Sequence, residues 1–229
     1  MPAGIAGRAA LLLLAFCLLF PANPSPAECD PVSTGSVSGT VAVSRTRVAT
    51  EGPKSDKDVV VSLQPISASA PLPAGAKATM DQKGFIFIPH VLPVSTGTTV
   101  TFLNNDNEQH NVYFLFDRTG KTLDIGTWGP GQSVDYTFGE AGTAITLCKL
   151  HLEMAAYVVV LDTPFFTLAE LDGSTQKGAF TIDGVTPGRY LLTAWHKKLK
   201  QLGGPVEVTV EAGENAVSDI TITKAKYAK

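Results

Sequence analysis

Ala144-Ile145-Thr146-Leu147-Cys148-Lys149-Leu150-His151-Leu152-Glu153-Met154, continuing as Ala155-Ala156-Tyr157-Val158-Val159-Val160-Leu161, is the stretch that decides how this chain is read. Ala144 to Leu147 and Ala155 to Leu161 are apolar, short and rich in β-branched residues, so each reads as a strand. The tight loop between them carries a thiol, an imidazole and a thioether, each three residues after the last. A Cys-x-x-His pair alone is weak, because a buried cysteine is commonly a small hydrophobe. Met154 in the same register, with a strand signal on either side, makes the loop informative.

Outward from this loop the chain repeats one pattern. Val37 to Val43, Thr98 to Leu103, Val112 to Phe116 and Val134 to Phe138 alternate apolar and polar residues, and Val59 to Leu63 is a short β-branched run. Phe85-Ile86-Phe87-Ile88 precedes Pro89. After Leu161, strands are predicted at Ala179 to Ile182, Tyr190 to Trp195, Val206 to Val210 and Ile220 to Ile222. Gly, Pro, Asn and Asp separate the runs, and no stretch has a helical period of any length. Many short strands with turn signals between them predict an all-β protein of sandwich or barrel type.

The loop donors are soft and nitrogenous. They suit copper better than the hard cations, which prefer oxygen. Two histidines, one cysteine and a weak axial methionine make a mononuclear copper site for electron transfer, and the loop supplies three of these four. The chain has only four histidines. His110 ends the polar turn Asn104-Asn105-Asp106-Asn107-Glu108-Gln109 between two strands, where it can point into one pole of a sandwich. His90 lies in an apolar run and His196 lies far along the chain, so both read as structural or surface residues. Met80 reads as packing. Zinc fits less well, since Met is a poor zinc ligand, and a dinuclear copper site lacks its second nearby cysteine. Four protein ligands leave no open position for a substrate, and no Ser/His/Asp set or carboxylate pair surrounds them, so the chain is not read as an enzyme.

On these residues the stretch from about Asp81 to Leu161 resembles the cupredoxins, the plastocyanin and amicyanin family of type 1 (blue) copper proteins. The Asn-Asn…His-Asn-Val segment is similar to plastocyanin's, and Cys148-x-x-His151-x-x-Met154 has amicyanin's spacing. The resemblance implies a Greek-key sandwich with one copper ion at an end. His110, Cys148 and His151 are then equatorial ligands and Met154 the axial one. It further implies that Asn105 hydrogen-bonds the Cys148 sulfur, with Asn111 beside the first ligand. One-electron exchange with a transient redox protein partner is expected through an apolar patch at His151, for which Leu150 and Leu152 are candidates. The chain departs from the family at Gln109, where Pro is usual, and in the loop spacers Lys149, Leu150, Leu152 and Glu153. No aromatic residue directly precedes Cys148.

Arg8 and the apolar run Ala9 to Phe20 read as a secretory signal, with cleavage after Ala27. The run is too short to span a bilayer, and no later segment is long and apolar enough. An exported chain, periplasmic or extracellular, is therefore expected. Cleavage leaves roughly 200 residues, room for one large or two small domains. The net charge of −3, with scattered lysines, gives no basic stripe or stacking platform for nucleic acid. Cys17 leaves with the signal, so Cys29 and Cys148 remain. A Cys29–Cys148 disulfide is the alternative to a metal-bound Cys148 in an oxidising compartment.

Composition divides the rest. Ser67 to Ala76 reads as a linker and Asp162-Thr163-Pro164 as a stop. The expected divisions are residues 1–27 (signal), 28–77 (leader and early strands), 78–162 (cupredoxin) and 163–229. In the last, Gly178-x-Phe180 and Pro187-Gly188-x-Tyr190 resemble the carboxypeptidase regulatory-like domain, a small prealbumin-like or Ig-like β-sandwich. That family opens with a strand pair absent after residue 163. Val37 to Val43 and Val59 to Leu63 are candidates for it, which makes the cupredoxin an insertion; two consecutive domains are the alternative. This module says little about function. A spacer, a docking surface or a carbohydrate binder using Trp128 or Trp195 all fit, although a Trp in a strand is usually core. Lys197, Lys198 and Lys200 read as a solvated face. Two rival functions stand beside electron transfer. One is copper delivery or storage without a redox partner, and the other is a carbohydrate- or protein-binding module with a vestigial copper site.

Overall fold

The structure, a computed structural model, describes residues 33–52, 55–67 and 70–227. The expected signal segment, Cys17 and Cys29 lie outside the described residues. Two strands come first, β1 (Gly35–Val43) and β2 (Asp58–Pro65). Nine follow: β3 (Lys77–Gln82), β4 (Phe87–Ile88), β5 (Val91–Ser95), β6 (Thr99–Asn104), β7 (His110–Phe116), β8 (Thr122–Trp128), β9 (Ser133–Thr137), β10 (Gly142–Leu147) and β11 (Ala155–Leu161). The last seven are β12 (Phe166–Glu170), β13 (Lys177–Val185), β14 (Gly188–Trp195), β15 (Lys200–Gln201), β16 (Val206–Val210), β17 (Gly213–Ala216) and β18 (Ile220–Thr223). Only a short 3-10 turn, Ala225–Tyr227, interrupts this all-β architecture among the described residues. No helix there is long and apolar enough to cross a membrane.

The middle nine strands form two sheets, ordered β5-β11-β10-β7-β8 and β4-β3-β6-β9. Alternation places one face of each against the other. Phe102 and Met80 from one sheet and Phe114, Ala144, Ala156 and Val158 from the other share a single buried core. Phe114 sits at its centre, with ring contacts to Phe102, Phe116, Tyr136 and Phe138. Cys148 and Met154 belong to the same apolar cluster, so both loop sulfurs point inward at one pole.

The remaining strands form two further sheets, ordered β13-β1-β18-β15 and β12-β2-β14-β16, with β17 pairing β1. Strands from before and after the middle nine therefore share sheets. Val37 opposes Ile182, and Val61 opposes both Thr167 and Ala194. Val37, Val41, Val59, Val61 and Leu63 pack in one core with Phe180, Ile182, Tyr190 and Leu192. At Gly39 an added Cβ would stand 2.8 Å from the Phe180 ring. Only glycine allows that approach.

Val159 shows how the sandwiches meet. Ala156, Val158 and Val160 of β11 face the inner core, while Val159 points the other way and packs with Val60 of β2 and Val91 of β5. The continuous apolar run in β11 thus reflects burial on both faces. Tyr157 extends the seam, 5.7 Å from Trp195. Lys197 departs from the solvated face read for it. Its side chain is 7% exposed, and its ammonium lies 2.8 Å from the similarly buried Asp56 and 2.6 Å from His90 Nε2. Lys198 is exposed but reaches the same Asp56. Phe85 and Ile86 also differ from expectation: they belong to a turn closed by the Lys83 N–H on the Ile86 carbonyl, and β4 begins only at Phe87.

Candidate metal centre

Three segments converge at the pole where β10 ends. His110 opens β7 and is fully buried. Cys148 follows the last residue of β10 and is 1% exposed. His151 is half-buried in the loop, and the Met154 N–H closes a turn on the His151 carbonyl at 2.9 Å. One ligand atom from each of His110, Cys148 and His151 lies within 4.8 Å of the others. The two imidazole Nδ1 atoms face each other at 3.0 Å, and the Cys148 sulfur is 3.8 Å from the His151 Nδ1. Cys148 carries no disulfide. Met154 is fully buried in the same cluster.

This donor set fits a copper ion. Two inward-facing ring nitrogens need a proton or a cation between them, and the third donor is a sulfur. Two nitrogens and a sulfur with a thioether close by suit copper, and the apolar walls limit water and dielectric.

Hydrogen bonds lock the ligand segments together. The Asn111 backbone N–H donates to the Cys148 sulfur at 3.4 Å. The Asn111 side-chain oxygen accepts the Lys149 N–H, while its amide donates to Asp124 Oδ1 and the Gly126 carbonyl, each at 2.8 Å. Asp124 also pairs with the Lys149 ammonium at 2.6 Å. The Lys149 hydrogen bond foremost, with the Gly126 N–H and the Asn111 amide, lowers its pKa. The role expected of Asn105 falls to Asn111. The Asn105 amide instead donates to Asp81 Oδ2 at 3.0 Å, and its backbone N–H donates to the Gln82 carbonyl at the end of β3.

Three further residues shape the site without having been read from the sequence. Asn104 is buried and donates to the Glu108 and Trp128 carbonyls, while its oxygen accepts the Asp106 N–H. That closes the turn leading to His110. Asp106 Oδ2 lies 3.0 Å from His110 Nε2 and 2.9 Å from the Phe85 nitrogen, whose N–H it accepts. Desolvation alone raises the Asp106 pKa, but the hydrogen bonds from Phe85, His110 and Asn107 outweigh it and hold the group below its ordinary value. The signal for Asp106 was its four-residue spacing from His110 in an Asx-rich turn. Phe85 sits at a positive φ of 60°, and its ring packs edge-on against His151 and His110 at 4.9 and 5.7 Å.

Around His151 the surface is apolar. Leu152 is 84% exposed and Leu150 52%, with Phe85, whose ring touches His151, also exposed. The other candidates lie apart. Met80 and Trp128 are in the core, and His196 is buried with its Nε2 2.9 Å from the Asp56 carbonyl oxygen.

Comparison with known proteins matches residues 74–161 to copper binding proteins of the plastocyanin/azurin family. Residues 171–218 match polysaccharide lyase family 4, domain II. Plastocyanin A'/A'' of Nicotiana tabacum is 32% identical over 80 residues, covering 31% of this chain and 81% of its own. Among solved structures, a Cu(I) form of an amicyanin variant is 32% identical, covering 46% of this chain and all of its own, at a TM-score of 0.35. A purple cupredoxin from Nitrosopumilus maritimus is 24% identical, covering 37% and 99%, at a TM-score of 0.33.

Proposed function

Given that the chain belongs to the plastocyanin/azurin family of copper-binding proteins through its middle sandwich, we propose that it is an exported type 1 copper protein that carries single electrons between transient protein partners. The observation that carries this reading is the convergence of the His110 and His151 Nδ1 atoms and the Cys148 sulfur at one buried pole. Bound copper supplies a one-electron couple between Cu(II) and Cu(I).

The protein side of the work falls to named groups. His110, Cys148 and His151 hold the ion, with Met154 as the weak fourth ligand. The Asn111 N–H donates to the thiolate and draws off part of its electron density, which tunes the site. The Lys149–Asn111 bond fixes the Cys148 loop against β7, so the donors keep their places in both oxidation states. Closed four-ligand coordination opposes metal release and leaves no position for a substrate.

Leu150 and Leu152 form the docking patch for a one-electron donor or acceptor protein, with Phe85 on its rim. Their exposure beside the half-buried His151 supports this. A patch of this kind suits a small, short-lived interface. Leu152→Glu is expected to slow electron exchange with a partner by about tenfold or more while the visible spectrum stays unchanged. Stopped-flow kinetics with a reduced partner protein checks this, and an unchanged rate would remove Leu152 from the interface. Export after cleavage at Ala27 is tested by sequencing the secreted chain, which is expected to begin at Glu28.

A further inference from the structure

We propose that Asp106 is a positioning residue for the copper site, whose carboxylate fixes His110 through its Nε2–H and favours Cu(II) over Cu(I). This rests on the copper reading above and names a residue outside the ligand set.

The geometry is specific. His110 is fully buried, and its two ring nitrogens have different partners. Nδ1 faces His151 Nδ1 at 3.0 Å and Nε2 faces Asp106 Oδ2 at 3.0 Å. A carboxylate on the far nitrogen keeps the proton there, leaves Nδ1 free to bind metal and makes the ring more basic. The same oxygen accepts the Phe85 N–H, and the other accepts the Asn107 N–H at 3.1 Å. Asp106 is thus anchored from two sides, and it holds the turn that lays the Phe85 ring against both imidazoles.

Charge gives the sign. With the thiolate counted, the oxidised centre carries +1 and the reduced centre is neutral. The Asp106 side chain is 12% exposed, and its ion-pair partner among the described residues is His110 rather than a Lys or Arg. A charge so little hydrated acts more strongly than a surface charge. The neighbouring carboxylate, Asp124, is paired with Lys149, so its effect is largely offset. A negative group one imidazole away therefore stabilises the +1 state.

The test compares wild type, Asp106→Asn and Glu140→Gln, each loaded with copper and titrated against a redox buffer. Asparagine keeps a carbonyl acceptor for the Nε2–H and removes the charge, its NH2 group replacing the oxygen that accepts the Asn107 N–H. Glu140 is exposed at the opposite end of β10 and controls for a general loss of charge. Asp106→Asn is expected to retain the thiolate-to-copper band and shift the equilibrium about tenfold toward Cu(I), about 59 mV for a one-electron couple, with little shift for Glu140→Gln. A retained band with no shift beyond the control overturns the inference and leaves the copper reading intact. Absence of the band in wild type overturns the copper reading first, and this inference with it. Should Asp106→Asn fail to fold, nitrogen-15 NMR of the wild-type Cu(I) protein decides. A slowly exchanging His110 Nε2–H supports the proposal, and a proton lost to rapid solvent exchange overturns it.

Discussion

Asn111 contributes more to this site than any residue that is not itself a proposed ligand. Its backbone donates to the sulfur, its oxygen accepts Lys149, and its amide is held by Asp124 and Gly126. Asn111→Ala keeps the backbone bond but leaves the partners of a buried amide unsatisfied. A stability loss of about 1–3 kcal/mol is expected in chemical denaturation of the metal-free protein. The candidate ligands were legible in the sequence because Cys, His and Met are few and three of them share one loop. The roles of Asn105, Asn111 and Asp106 were not. All three lie in one polar stretch, and which amide or carboxylate reaches the site depends on how the turn after β6 closes. Asn104 and Asp81 of β3 decide that closure, and no local periodicity reports it.

Among the elements, the strands with clean alternation or β-branched runs were readable, and β11 most of all. β3, β5, β8, β12, β15 and β17 were missed. Thr122 to Trp128 in β8 reads Thr-Leu-Asp-Ile-Gly-Thr-Trp, with four of its seven residues polar or glycine, because this strand lies at an exposed sheet edge. The loop from β14 to β15 makes a separate pH-dependent claim. His196 donates its Nε2–H to the Asp56 carbonyl, and its Nδ1 accepts the backbone N–H groups of Lys198 and Leu199. Protonating Nδ1 would break both acceptor bonds. Burial, first among the causes, lowers its pKa below 6.5, despite the opposing pull of Asp56 and with support from Lys197 and Lys198. The unfolded chain therefore takes up this proton at higher pH than the folded one. Stability is full above 6.5 and falls as pH drops through 6.5 toward the lowered native value, by at most about 1.4 kcal/mol per pH unit. His196→Asn keeps an acceptor without titrating. It is expected to flatten the pH dependence of the urea midpoint across this window; an unchanged slope would assign the acid sensitivity elsewhere.

At the scale of the whole molecule, strands from both ends of the chain complete the sheets that flank the middle sandwich. We read residues 77–161 as a domain inserted into a loop of the other sandwich. Sequence patterns suggested the arrangement only through a missing strand pair, because pairing across more than a hundred residues leaves no local trace. Val37, Val41, Val59, Val61 and Leu63 are fully buried in the shared core. At about 1.5–3 kcal/mol per buried side chain, their loss rivals a typical domain's total stability of about 5–15 kcal/mol. Residues 163–229 alone are therefore expected to lack a cooperative thermal transition, and to gain one when residues 33–67 are supplied. A folded isolated 163–229 segment would favour two consecutive domains.

The central claim, one copper ion held by His110, Cys148, His151 and Met154, is tested most directly by titrating the mature protein with Cu(II) and recording its visible spectrum beside Cys148→Ser. The account predicts an intense thiolate-to-copper charge-transfer band that saturates at one equivalent and is absent from the variant. Full copper occupancy without that band, or a band that survives loss of the Cys148 sulfur, would contradict it.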